Sequence, residues 1–136
     1  MRKTSCLYSL GGAAAVLLAA SAAEPQQPQR KVDVLKLACA GGGCLLLQGA
    51  PQTAGMRSGL VRLKSNETVG WHTTCDHEES LIILEGQGKA LIEGQQGQPF
   101  VAPALVYIPP STRHNVENTG KETLVYVYVV APVKSK

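Results

Sequence analysis

Between residues 32 and 130 the apolar residues come in short runs rich in Val, Leu, Ile and Tyr, punctuated by Gly, Pro and Asn. No window sustains a 3.6-residue apolar repeat long enough for a capped helix. This spacing predicts an all-β sandwich or barrel. Strands are expected at 32–37, 45–48, 58–64, 68–74, 80–85, 88–93, 99–101, 105–108, 114–118 and 123–130. Glu85-Gly86-Gln87-Gly88 suits a tight hairpin, because glycine takes positive φ freely. Pro109-Pro110 cannot donate to a ladder and ends a strand. Asn118-Thr119-Gly120 marks another turn. The segments 80–84 and 124–130 are apolar on both faces. Such strands call for a layer outside the barrel, either a second sheet or a partner subunit, and a homodimer fits that need.

The first residues read differently. Arg2 and Lys3 precede an apolar run from Leu7 to Ala20, which closes in the small residues Ser21-Ala22-Ala23. This pattern predicts a cleaved signal peptide over 1–23; the run is short for a stable membrane span. A retained N-terminal anchor is the alternative. Residues 24–31 are polar and rich in Pro and Gln, as in a flexible leader. One domain is expected over 32–136, secreted or, in a Gram-negative host, periplasmic, with no membrane contact in the mature form.

The whole chain carries 13 basic and 10 acidic residues. Removing Arg2 and Lys3 leaves 11 bases against 10 acids, a net charge of +1. That balance gives no electrostatic basis for nucleic-acid binding. Cys39 and Cys44 flank Ala40-Gly41-Gly42-Gly43, a link supple enough to let them meet in an oxidising compartment. Two small packed thiols are the other reading.

The chemistry concentrates in Gly70-Trp71-His72-Thr73-Thr74-Cys75-Asp76-His77-Glu78-Glu79-Ser80, which holds two of the three histidines. Strand periodicity puts His72 and Thr74 on one face. Glu79 opens the next strand, with Leu81 and Ile83 on its face. His114 lies far along the chain, just after the Pro109-Pro110-Ser111 turn. Two imidazoles and a carboxylate converging in a small barrel suit a divalent transition metal such as Fe, Mn, Ni, Cu or Zn. His77 and Cys75, on the loop, are candidates for a further ligand. An equally physical alternative is a metal-free barrel in which His72 and His114 are hydrogen-bonded cleft residues.

These residues resemble the two signatures of the cupin family. His72-Thr73-Thr74, four residues, Glu79, six residues and Gly86 follow the first signature. Pro109, His114 and Asn118 keep the spacing of the second. Thr74 stands where a second metal histidine is expected, and Pro103 and Ser111 replace glycines. The resemblance covers residues 55–131. It implies a cupin-type double-stranded β-helix, or jelly-roll, barrel with His72, Glu79 and His114 as metal ligands. It also implies a small-molecule dioxygenase, with Glu79 holding metal or shuttling a proton. The expected pocket is apolar, drawing on Thr74, Cys75, Leu81, Ile83 and Val116. The competing expectation is a binding module that captures a sugar, another small ligand or the metal without turnover.

Overall fold

The computed structural model describes residues 32–133. The signal peptide expected over 1–23 and the leader over 24–31 lie outside the described residues. Eight strands follow in chain order: β1 (Gly43–Gln48), β2 (Arg57–Leu63), β3 (His77–Glu85), β4 (Gln87–Ile92), β5 (Gln98–Val101), β6 (Ala104–Ile108), β7 (His114–Asn118) and β8 (Leu124–Pro132). There is no helix among the described residues. A five-stranded sheet runs β1-β2-β8-β3-β6, and a three-stranded sheet runs β5-β4-β7. All pairings within them are antiparallel. The fold is the all-β cupin barrel that the signatures imply.

Period-two alternation builds the core. On β8, Leu124 and Tyr126 face inward, and Val125 and Val127 face outward. The inward set joins Leu81, Ile83, Ile108 and Val116 between the sheets. Full burial of each such side chain is worth roughly 1.5–3 kcal/mol. Outside the sheet, Leu60, Val125 and Val127 form a second cluster, covered by Cys39, Cys44 and Leu46. Cys39 and Cys44 are joined in a disulfide. The segment just before β1 is thereby pinned over the outer face of β2 and β8. This is the outer layer that the doubly apolar β8 requires. On β3 no such layer is present among the described residues, and Ile82 and Leu84 remain 41% and 39% exposed.

Two expected strands are absent. Residues 32–37 are not assigned to a strand, and Val32 and Val34 are about nine-tenths exposed, at 90% and 94%. Apolar alternation without a ladder partner does not hold a strand. Residues 68–74 form only two isolated bridges, Thr68 to Glu117 and His72 to His114. Gly70 between them takes φ +98°, which breaks the extended run.

Candidate metal centre

The broken run along β7 positions both histidines. His72 and His114 exchange two backbone hydrogen bonds, each N–H donating to the other's carbonyl at 2.9 Å. An antiparallel pair of this kind brings its two side chains side by side. The rings meet edge to face, with centroids 4.3 Å apart. Gly70 bends the segment back, and its N–H donates to Asn115 Oδ1 at 2.8 Å. The third member arrives from the other sheet. Glu79 lies on β3 opposite Ile108 of β6 and Val130 of β8, and faces inward at the mouth end of the barrel.

Second contacts orient the donors. His72 Nδ1 donates to the Gly70 carbonyl, and His114 Nδ1 to the Thr112 carbonyl, each at 2.9 Å. A carbonyl can only accept, so each Nδ1 carries the proton and each Nε2 is left to present its lone pair. That is how metal-binding imidazoles are commonly held. One donor atom from each of His72, Glu79 and His114 falls within 4.8 Å of the others.

The closest approach shows that these atoms fit a cation. His114 Nε2 and Glu79 Oε2 lie 3.1 Å apart, fully buried. Their distance is that of an ion pair, yet the angles are not those of a hydrogen bond, and neither atom has a hydrogen-bond partner. A lone pair and a carboxylate oxygen repel at this range unless a positive charge lies with them, either a proton on the ring or a metal. Leaving such atoms unsatisfied costs about 1–3 kcal/mol each. Without a metal, burial alone would lower the His114 pKa. The Glu79 carboxylate and the Thr112 carbonyl outweigh burial, and the net shift is upward from 6.5.

Two members of the group, His72 and Glu79, line a cavity of about 560 Å³ walled by Val61, Val69, Val116 and Val130, with Thr74, Tyr126 and Tyr128 among its polar members, while His114 sits fully buried behind them. Val116 is on this wall. Leu81 and Ile83 are not; they share the inward face of β3 with Glu79 but sit deeper, in the closed core at 1% exposure. Thr74 reaches the cavity, although its hydroxyl donates to the His77 carbonyl at 2.9 Å. His77 and Glu79 do share a strand face, since β3 begins at His77. His77 nonetheless stays out of the donor group and turns to Asp76 Oδ1 at 2.8 Å. Cys75 is an exposed free thiol at φ +56° in the turn, also apart from the group.

Arg57, Tyr126 and Tyr128 on the wall were not foreseen. The signal for the tyrosines was present: 124, 126, 128 and 130 alternate along one face of β8. Burial pushes the Tyr126 phenol well above its usual range, and the Glu79 charge adds to the effect.

Comparison with known proteins gives a consistent picture. The model of the cupin domain family matches residues 59–130. A glucose-6-phosphate isomerase of Pyrococcus horikoshii is 30% identical over 63 residues, which is 43% of this chain and 33% of that protein. The chain thus matches about a third of the length of the curated relatives. A cupin 2 conserved barrel domain protein from Salinispora arenicola superposes with a TM-score of 0.59 at 21% identity, covering 76% of this chain and 89% of the other. A predicted oxalate decarboxylase from Thermotoga maritima gives 0.53 at 18% identity, covering 68% and 93%. At these identities the two structures speak for the fold alone.

Proposed function

The chain belongs to the cupin family, and from that premise we propose that it binds a divalent transition metal at the barrel mouth and acts there on a small organic molecule, with dioxygenation as the leading reaction. The observation that carries this reading is the buried pair of acceptors, His114 Nε2 and Glu79 Oε2, 3.1 Å apart without a hydrogen bond. His72, His114 and Glu79 would hold the ion, a two-imidazole, one-carboxylate set that leaves coordination positions open. When bound, the metal would supply Lewis acidity and a template for bringing oxygen and an organic substrate together. The valines of the wall exclude water and hold an apolar substrate body. The carbonyls of Gly70 and Thr112 keep both imidazoles aimed. Glu79 is also placed to take and return a substrate proton. Isomerisation, the activity named for the Pyrococcus relatives, is the second reaction in line.

A binding module without turnover is the second reading, favoured by Thr74, whose hydroxyl is committed to a backbone carbonyl where the family expects a histidine. Elemental analysis of untagged protein, followed by oxygen uptake with phenolic and diketone compounds, separates the readings. About one ion per chain with uptake supports the enzyme. About one ion without uptake rules out dioxygenation, and the module is then supported if sugar and carbonyl compounds bind unchanged rather than isomerise. No ion in wild type, or unchanged metal content in His72→Ala and His114→Ala, overturns the metal-dependent reading and leaves only a module that binds a small ligand without metal.

Two wider expectations belong here as proposals. Export is supported by the N-terminal pattern together with the Cys39–Cys44 disulfide, which an oxidising compartment maintains; N-terminal sequencing of mature protein starting near residue 24 would bear it out. A homodimer is supported by the outer face of β3 and β6, where Ile82 pairs with Leu105 and Ser80 with Tyr107, and Leu105 is 69% exposed. Sedimentation of wild type against Leu105→Glu tests it.

A further inference from the structure

The cavity beside the donor group is apolar for most of its wall, yet one cation lines it. On β2 the alternate positions Arg57, Gly59 and Val61 face inward, with Arg57 at the mouth. Two glycines shape its surroundings. A Cβ on Gly49, at φ +90°, would lie 3.1 Å from Arg57 Cγ, so the side-chain stem packs on bare backbone there. A Cβ on Gly59 would lie 2.5 Å from Tyr128 Cε1, so the Tyr128 ring lies flat across β2 next to Arg57. Tyr128, Arg57 and Glu79 all line this one cavity. Among the described residues Arg57 has no ion-pair partner.

Charge balance then selects the occupant. Among the described residues, Arg57 and Glu79 are the only Asp, Glu, Lys or Arg on the wall. A divalent ion on two neutral imidazoles and one carboxylate leaves one positive charge, and Arg57 adds a second. A cavity with low-dielectric walls and that surplus attracts anions. A guanidinium fork matches a carboxylate with two parallel hydrogen bonds. We infer that the cavity takes a small organic carboxylate, its charged end held by Arg57 with Tyr128 beside it and its oxygen-bearing end directed to His72, Glu79 and His114. The inference rests on the metal-binding reading for the second contact and adds the class of molecule.

Dihydrocaffeate and its neutral amide are suitable probes, since both carry the same catechol and apolar spacer and differ only in the charged end. Catechol alone reports the metal end. With the metal-loaded protein, the acid should bind roughly tenfold tighter than the amide, the size of a charge-assisted contact at a partly open site. In Arg57→Gln that ratio should fall to about one, with metal content and catechol binding unchanged. Arg57→Lys, which keeps the charge and loses the fork, should be intermediate. An acid-to-amide ratio near one in wild type, or one that survives Arg57→Gln, overturns the inference while leaving the metal reading standing. Protein that retains no metal and binds none of the probes defeats both.

Discussion

Two histidines of this chain open a strand beside an acidic side chain, and only one of them belongs to the candidate centre. His77 opens β3 and His114 opens β7. Both rings meet a carboxylate at close range, 2.8 Å to Asp76 and 3.1 Å to Glu79. The side chains of the first pair are 27% and 86% exposed, against 0% and 6% for the second. The first is an aligned hydrogen bond between neighbours in sequence. The second joins two sheets and makes no hydrogen bond. The lesson is that a His–acid contact becomes a site when burial removes water and geometry denies the two atoms each other. Exposed pairs are worth little because water competes for both partners.

The widest separation between the pairs should appear in metal affinity. Competition against a coloured chelator should show His114→Ala weakening binding more than about a hundredfold, since it removes a ligand rather than an outer-shell contact, while His77→Ala changes it by less than about threefold. Equal losses would erase the distinction. Stability should separate them next. In metal-free protein below about pH 6.5, where the His114 ring is protonated, Glu79→Leu leaves a buried imidazolium without its carboxylate and should cost about 1–3 kcal/mol by urea unfolding. Asp76→Ala should cost about 0–1 kcal/mol.

The pH dependence carries a definite sign. The folded pKa of His114 is raised above 6.5, so protonation stabilises the metal-free fold. That contribution should be fully present below about 6.5 and be lost as pH rises through the folded value. Metal affinity should rise over the same window, because proton and ion compete for one lone pair. His114→Gln should flatten the stability profile there. Gly70→Ala meets no neighbour within 4 Å and strains only φ, so it should cost about 1–2 kcal/mol and disturb His72 alone. The smallest effect belongs on the exposed side. Ser111 holds φ +58° in the turn that contacts Cys75, and Ser111→Gly should gain up to about 1 kcal/mol.

The barrel was legible in the sequence where alternation and punctuation agreed. The doubly apolar 124–130 segment is covered on both faces, and the Glu85–Gly88 joint links β3 to β4. Residues 32–37 showed the same alternation, but pairing partners are not written in local pattern. Residues 68–74 read as a strand because Gly70 does not announce its backbone angle, although the bridges on either side still deliver His72 to the expected place. The departure at Ser111 was visible only as a missing glycine; the structure adds that serine still adopts the left-handed conformation a glycine would take. The grouping of His72, Glu79 and His114 was legible from spacing, whereas the place of Arg57 on the cavity wall was not, because it depends on β2 lying next to β8 in the sheet.

Anomalous diffraction from crystals of untagged protein, at the absorption edge of whichever metal co-purifies, tests the buried donor set most directly. The geometry predicts one strong peak about 2.0–2.2 Å from His72 Nε2, His114 Nε2 and a Glu79 oxygen. A peak at His77 or Cys75 with the space between the three donors bare of anomalous signal would contradict it.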